Sequence, residues 1–258
     1  MQPIFGKIDE IVHGQKPAAL CIVIDTQGST PRKTGAKMVV FADGSIYGSI
    51  GGGSVEREVA GMAVKLIATG QPAKVSFNLG EDLGMHCGGK MEVYIEPLHP
   101  QKKLFIFGAG HIGTSLARFA RELEFSVTLF DPREGIFVGK AFEGFDFINK
   151  DYFKAIEEAV FDENTFIVIV TPKHISDEEI LAMVARKPHA YLGMIGSVRK
   201  VDLLKNRFLK ENILTPEELS EIDMPIGLKF NADTPSEIAI SILAKLIDVR
   251  NTALSNSR

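Results

Sequence analysis

The stretch FIFGAGHIG, residues 105–113, limits what this chain can fold into more than any other. An apolar run closes on Gly108, and Gly110 and Gly113 complete a G-x-G-x-x-G spacing that opens an amphipathic segment. A second apolar run, SVTLF, follows and ends on Asp131. Strand, glycine turn, helix, strand and terminal carboxylate, in that order, are the signature of a βαβ unit that receives a dinucleotide. Gly108 makes the tight turn, Gly110 lets the backbone approach a pyrophosphate, and Gly113 lets the helix press on the strand. His111, inside the loop, joins the candidate set, and the helix amino end favours phosphate charge. Asp131 stands where a carboxylate takes ribose hydroxyls, which favours NAD; Arg133 can instead receive the 2′-phosphate of NADP.

The pattern continues beyond this unit. TFIVIVT (165–171) and AYLGMIG (190–196) are apolar along their whole length, as strands of a parallel sheet covered on both faces are. Between them run segments with helical spacing, such as Ile112, Leu116, Phe119, Ala120 and Leu123, and SEIAISILAKLIDVR closes the series. Residues 100–258 are therefore expected to form an α/β domain with a Rossmann-like, doubly wound parallel sheet. Residues 1–99 read differently. AALCIVIDTQG, AKMVVFADG, SIYGSIGG and KMEVYIEPL are strands separated by glycine and proline turns, around one helix, SVEREVAGMAVKLIATG, that stops at a glycine. A smaller α+β domain is expected there, with the boundary at EPLHPQKK.

Charge and cysteine usage narrow the function classes. The formal net charge is −4, and Lys and Arg form no long run, which argues against nucleic acid and membrane surfaces as partners. The amino-terminal residues lack the features of a signal peptide, and no apolar run is long enough for a membrane span, so a cytoplasmic location is expected. Two cysteines make no disulfide framework, no CxxC pair occurs, and no iron–sulfur cysteine set is present. Cys21, inside ALCIVID, is a core residue. Cys87 lies between His86 and Gly88–Gly89, where an accessible thiolate can contact a soft metal.

Three loops of the first domain combine small residues with charge: GSTPRKTGAKMVV (28–40), SIGGGSVERE (49–58) and GMHCGGKMEV (84–93). Gly51, Gly52 and Gly53 are expected to present backbone N–H groups ahead of a helix capped by Ser54, a place for an anion. Arg32 and Lys37 offer cations nearby. Ordinary hairpin turns and a capped helix account for the same letters, so the two readings stay open on this ground alone.

Taken in order, these stretches resemble the XdhC/CoxI family, accessory proteins of molybdenum hydroxylases such as xanthine dehydrogenase. The resemblance rests on GSTPRKTGAKMVV, GSIGGGSVE, MHCGGKMEVYIEP, FIFGAGHIG, YLGMIGSVRKV, and PIGL followed by TPSEIAISILAKLI, and it spans nearly the whole chain. It implies a non-catalytic chaperone that binds the molybdenum cofactor (molybdopterin), protects it during sulfuration, and passes it to the apo-hydroxylase. A cysteine desulfurase is a further partner of that scheme. On this resemblance Gly51–Gly53, Arg32 and Lys37 are candidates for the pterin phosphate, and Cys87 for the metal or its dithiolene. Thr171, His174 and Asp177 match the family's Thr-x-x-His-x-x-Asp stretch, although Pro172 stands where many relatives carry a second histidine. Ser197, Arg199 and Lys200 open a further helix and could face an interdomain cleft.

The two glycine loops would suit two anionic groups, or one long ligand held between the lobes. Helices 54–69 and 235–249 offer faces for a homo-oligomer. Two other classes remain in view: an NAD(P)-dependent oxidoreductase with His174 as proton donor and Arg32 as substrate clamp, and a nucleotide-sensing regulatory module.

Overall fold

Residue alternation dictates the first unit. In the computed structural model, which describes residues 4–14, 16–80, 88–98, 101–123, 125–139 and 142–256, the chain divides into two units, residues 1–101 with 253–258 and residues 102–252. The first holds β1 (Ala18–Gln27), β2 (Lys37–Phe41), β3 (Ile46–Gly48), β4 (Ala73–Asn78) and β5 (Lys90–Leu98) in one antiparallel sheet of order β3-β2-β1-β5-β4. Because successive side chains point to opposite faces, Ala19, Cys21, Val23, Met38, Val40, Met91, Val93 and Ile95 share one core. Helix α2 (Gly53–Thr69) covers it with Val55, Val59, Ala60 and Ala63. The opposite face carries Ala18, Leu20 and Val39, covered by Ile4, Ile8 and Ile11 of α1 (Ile4–Gly14). Helix α1 and strand β4 have no counterpart in the sequence expectations. Gly70 ends α2 in the left-handed conformation, its N–H donating to the Leu66 carbonyl at 2.8 Å, as a C-terminal glycine does. Cys21 is fully buried, and burial pushes its thiol up to about 12, so it behaves as a small hydrophobe.

The second unit is the doubly wound α/β architecture. Strands β6 (Lys103–Phe107), β7 (Ser126–Phe130), β8 (Asp146–Ile148), β9 (Thr165–Ile169) and β10 (Tyr191–Met194) are all parallel, in the order β10-β9-β6-β7-β8. Helices α4 (Tyr152–Glu158), α5 (His174–Val184), α6 (Val198–Lys210) and the short α7 (Pro216–Ser220) share a core with Phe105, Phe107, Phe130, Ile167 and Ile169. On the other face, α3 (His111–Arg121) and α8 (Pro235–Asn256) pack on Leu104, Ile106, Leu129, Phe166 and Val168. With both faces covered, the continuous apolar strands of the sequence are accounted for. The chain runs outward from β6 through β7 to β8, then returns to the far side of β6 to lay down β9 and β10. That reversal opens a crevice at the carboxyl ends of β6 and β9, where ligands of such sheets bind. Among the described residues no helix is long and apolar enough to cross a membrane.

Candidate functional site

The three glycines after β6 do different work. Gly108 has φ +112, and a Cβ there would lie 2.5 Å from the Val170 carbonyl oxygen. A Cβ on Gly113 would lie 1.9 Å from the Gly108 carbonyl oxygen. Both are glycine because backbone passes too close for anything else. Gly110 has an ordinary φ of −73 and nothing within 4 Å of where its Cβ would stand. It borders a cavity of about 960 Å³ together with His111, Ser115, Arg133, Thr171 and Ser236. The cavity occupies the crevice between the loops that leave β6 and β9.

Asp131, at the end of β7, is completely buried. Its Oδ2 accepts from the Ala109 N–H at 2.9 Å and from Arg133 Nη2 at 2.7 Å. Its Oδ1 accepts from the Arg133 N–H at 3.0 Å and from Arg133 Nε at 2.9 Å. Burial pushes this carboxyl up, but the hydrogen bonds from Arg133 and Ala109 outweigh it and hold the group below the usual carboxylate range. Asn149 ties the turn down, its Nδ2 donating to the carbonyls of Asp131 at 2.6 Å and Arg133 at 2.9 Å.

After β9, Thr171 and Asp177 meet directly. One Asp177 oxygen accepts from the Thr171 N–H at 2.9 Å and lies 2.7 Å from the Thr171 hydroxyl, and both residues are buried. This pair shapes the loop that carries Pro172 to the cavity rim. His174 opens α5, but its side chain lies outside the described residues. Ser197 is the N-cap of α6, its Oγ accepting from the Lys200 N–H at 3.4 Å. It borders a different cavity, of about 480 Å³, with Gly227, Phe230 and Asn231.

In the first unit the loops singled out by sequence do converge. A Cβ on Gly51 would lie 2.6 Å from Pro31 Cγ, and one on Gly89 would lie 2.3 Å from the Ser29 carbonyl oxygen. Of the amides expected to meet an external anion, however, those of Gly51 and Gly52 meet an internal one. Glu56 Oε1 accepts from the N–H groups of Ile50 at 3.0 Å, Gly51 at 3.2 Å and Gly52 at 2.8 Å, and from the Ser49 hydroxyl at 2.7 Å. Burial pushes Glu56 up, yet these bonds prevail and hold it below the usual range. Ser54 is not the cap, because the helix begins one residue earlier, at Gly53, with Gly52 in the N-cap position and no side-chain cap.

Lys37 does not join the glycine loop. Strand alternation sends it to the α1 face, where its ammonium sits 5.6 Å from the Phe5 ring centroid and 3.0 Å from the Gly35 carbonyl oxygen. Arg32 is exposed on its loop, and its carbonyl accepts from the Thr30 hydroxyl at 3.0 Å. Cys87 lies outside the described residues.

Glu56 as a partner of the loop and Ser236 as a cavity residue have no counterpart in the sequence expectations. A carboxylate in the first helical turn, a few residues beyond three glycines, was the available signal for Glu56. Ser236 follows the proline that starts α8 and shows itself only through tertiary packing.

Comparison with known proteins bears on the whole chain. Residues 104–246 match the model of the XdhC Rossmann domain, and residues 11–78 match that of the XdhC and CoxI family. The uncharacterized protein YqeB of Escherichia coli (strain K12) is 34% identical over 256 residues, covering 97% of this chain and 47% of YqeB. The molybdenum cofactor insertion chaperone PaoD of the same organism is 24% identical over 274 residues, covering 93% of this chain and 86% of PaoD. The chain thus spans about half the length of YqeB and most of PaoD. A crystal structure of a xanthine dehydrogenase (BH1974) from Bacillus halodurans superposes with a TM-score of 0.53 at 22% identity, covering 96% of both chains, a likeness of fold.

Proposed function

This chain belongs to the XdhC and CoxI family, and from that premise we propose that it binds the molybdenum cofactor and passes it to an apo molybdenum hydroxylase of the xanthine dehydrogenase type. The relative PaoD is named a chaperone of that kind. The observation that carries the proposal furthest is the cavity at the switch point of the parallel sheet, about 960 Å³ and open over Gly110. Small-molecule sites run from roughly 300 to 1,000 Å³ and combine apolar walls with a few placed polar groups.

The residues present fit the group. The bare backbone at Gly110 leaves room for close approach. Arg133, His111, Ser115 and Ser236 offer polar contacts, and Ile136 and Phe142 offer apolar wall for a flat ring. Bound in the hydroxylase, the cofactor supplies molybdenum redox chemistry. The task of this chain is to hold it, exclude it from bulk water and release it. Cys87 remains the proposed contact for the metal, and sulfuration on the chain would bring in a cysteine desulfurase. Transfer requires that chain and apo-enzyme share a compartment, the cytoplasm in this proposal.

The test is to purify the chain from cells that make the cofactor, oxidise it, and assay pterin fluorescence and molybdenum. Stoichiometric pterin and metal, and activation of added apo-hydroxylase, are the expected results. A chain carrying neither, or carrying NAD(H) that turns over a substrate, overturns the proposal and favours the oxidoreductase reading.

A further inference from the structure

We infer that the corner of the cavity formed by Asp131 and Arg133 takes a phosphomonoester in preference to a bare ribose diol. The inference rests on the cavity proposed above as the cofactor pocket, and it specifies the chemistry of one end of the ligand.

A carboxylate at the end of the second strand of a βαβ unit ordinarily accepts from the ribose hydroxyls of NAD. It can do so only with lone pairs to spare. A carboxylate has about four acceptor sites, and Asp131 already receives four N–H groups, from Ala109, the Arg133 backbone, and Arg133 Nε and Nη2. Its side chain is 0% exposed. A diol would have to evict Arg133 and leave a buried charge without its counter-ion, which is strongly unfavourable. The subsite that reads as NAD-binding in the sequence is closed by its own neighbour.

What faces the cavity instead is the guanidinium. Arg133 is 46% exposed and borders the open space, whereas Asp131 lies on the protein side of it. Arginine carries five N–H donors in a planar fork, and the grip on Asp131 uses only its Nε side and one N–H of Nη2. The fork is held in place, since the ion pair is two-pronged and Asn149 fixes the turn beneath it. A guanidinium fixed in this way makes charge-assisted hydrogen bonds to phosphate oxygens, stronger than the single bond a hydroxyl oxygen would accept from it. Two ligands share that chemistry: the 2′-phosphate of NADP, and the phosphate end of the pterin cofactor.

The test uses the full chain and two matched pairs of probes in equilibrium dialysis. One pair is 2′-AMP and adenosine, which differ only in the 2′-phosphate. The other is the oxidised pterin released from the cofactor, before and after phosphatase treatment. In at least one pair the phosphate-bearing member is expected to bind about tenfold tighter or more, the scale of a charge-assisted hydrogen bond. Arg133→Ser should bring that ratio close to one, and Arg133→Lys, which keeps the charge without the fork, should preserve part of it.

A response of the nucleotide pair identifies the 2′-phosphate as the source; a response of the pterin pair alone identifies the cofactor. Equal binding within both pairs, tighter binding of the dephosphorylated members, or no binding of any of the four overturns the inference. So does a preference that survives Arg133→Ser. The wild-type comparison decides the matter even if the serine variant does not fold. A chain that carries and delivers cofactor but shows no phosphate preference sinks this inference alone. One that prefers 2′-AMP and never carries pterin sinks the proposed function alone.

Discussion

The loop at Gly51–Gly53 and the loop at Gly108–Gly113 both lead from a strand into a helix, and as letters they make the same offer to an anion. What lies beside them differs. In the first loop, Ile50, Gly51 and Gly52 turn their N–H groups onto Glu56, a carboxylate from the helix they introduce. In the second, the Ala109 N–H likewise meets a carboxylate of the chain, Asp131, but the next residue, Gly110, borders the large cavity. A run of glycines therefore says that something comes close to the backbone without saying what. In one unit the visitor is the chain's own side chain; in the other there is room for a ligand.

The largest effect that would break or sharpen this contrast lies within the second loop. Gly113→Val would push a side chain into the Gly108 carbonyl, 1.9 Å from the ideal Cβ position. It should cost about 3 kcal/mol or more in urea unfolding of that unit. In Gly110→Val the Cβ meets no atom within 4 Å, so its stability should stay within about 1 kcal/mol of wild type while cofactor retention falls away. If Gly110→Val keeps its full complement of cofactor, the cavity is not the site, and the second loop is as structural as the first.

Glu56→Ala comes next. It removes an acceptor shared by three backbone amides and the Ser49 hydroxyl. The expected loss is about 1–3 kcal/mol of stability, the usual cost of leaving such donors unmet, with cofactor retention unaltered. A rise or fall in retention at unchanged stability would instead make the first loop a ligand site with Glu56 as its occupant.

The same carboxylate has a pH signature of known sign. Its native pKa is lowered because the hydrogen bonds outweigh burial, so its contribution is complete above the unfolded value of about 4.3 and fades as pH falls through the lower native value. Asp131 is lowered as well and adds a loss of the same sign. The discriminating measurement is therefore the difference between wild type and Glu56→Gln, which should shrink as the pH is taken below about 4. A difference that stays constant from neutral pH downward would mean that Glu56 is not ionised in the loop.

How much of this was legible follows from where each feature is written. The inner strands of the parallel sheet, such as Thr165–Ile169, are buried on both faces and so announce themselves as unbroken apolar runs. Strand β8 sits at a sheet edge with much of its surface exposed, and DFI is too short to carry a pattern, whereas AKVSFN of β4 does alternate, with Val75 and Phe77 turned to the core. The glycine loop after β6 was readable because spacing alone encodes a tight turn. That Asp131 would be filled was not, because one of its donors, Ala109, is twenty-two residues away and reaches it only through parallel pairing of β6 with β7. Glu56 was readable in principle, since all its partners are local.

The smallest effect concerns the cation that sequence proximity linked to the first glycine loop. Lys37 begins β2, and alternation along that strand puts Met38 and Val40 on the α2 side and Val39 on the α1 side. Lys37 shares the parity of Val39, and its ammonium lies over Phe5 of α1. Lys37→Ala should therefore remove an exposed cation–π contact, less than about 1 kcal/mol, and leave both cofactor retention and the Glu56 pH signature untouched. A clear drop in retention on this substitution would show that the α1 face takes part in binding. Face assignment by strand parity, which separates Lys37 from Gly51–Gly53, would then have to give way to a site that reaches around the sheet.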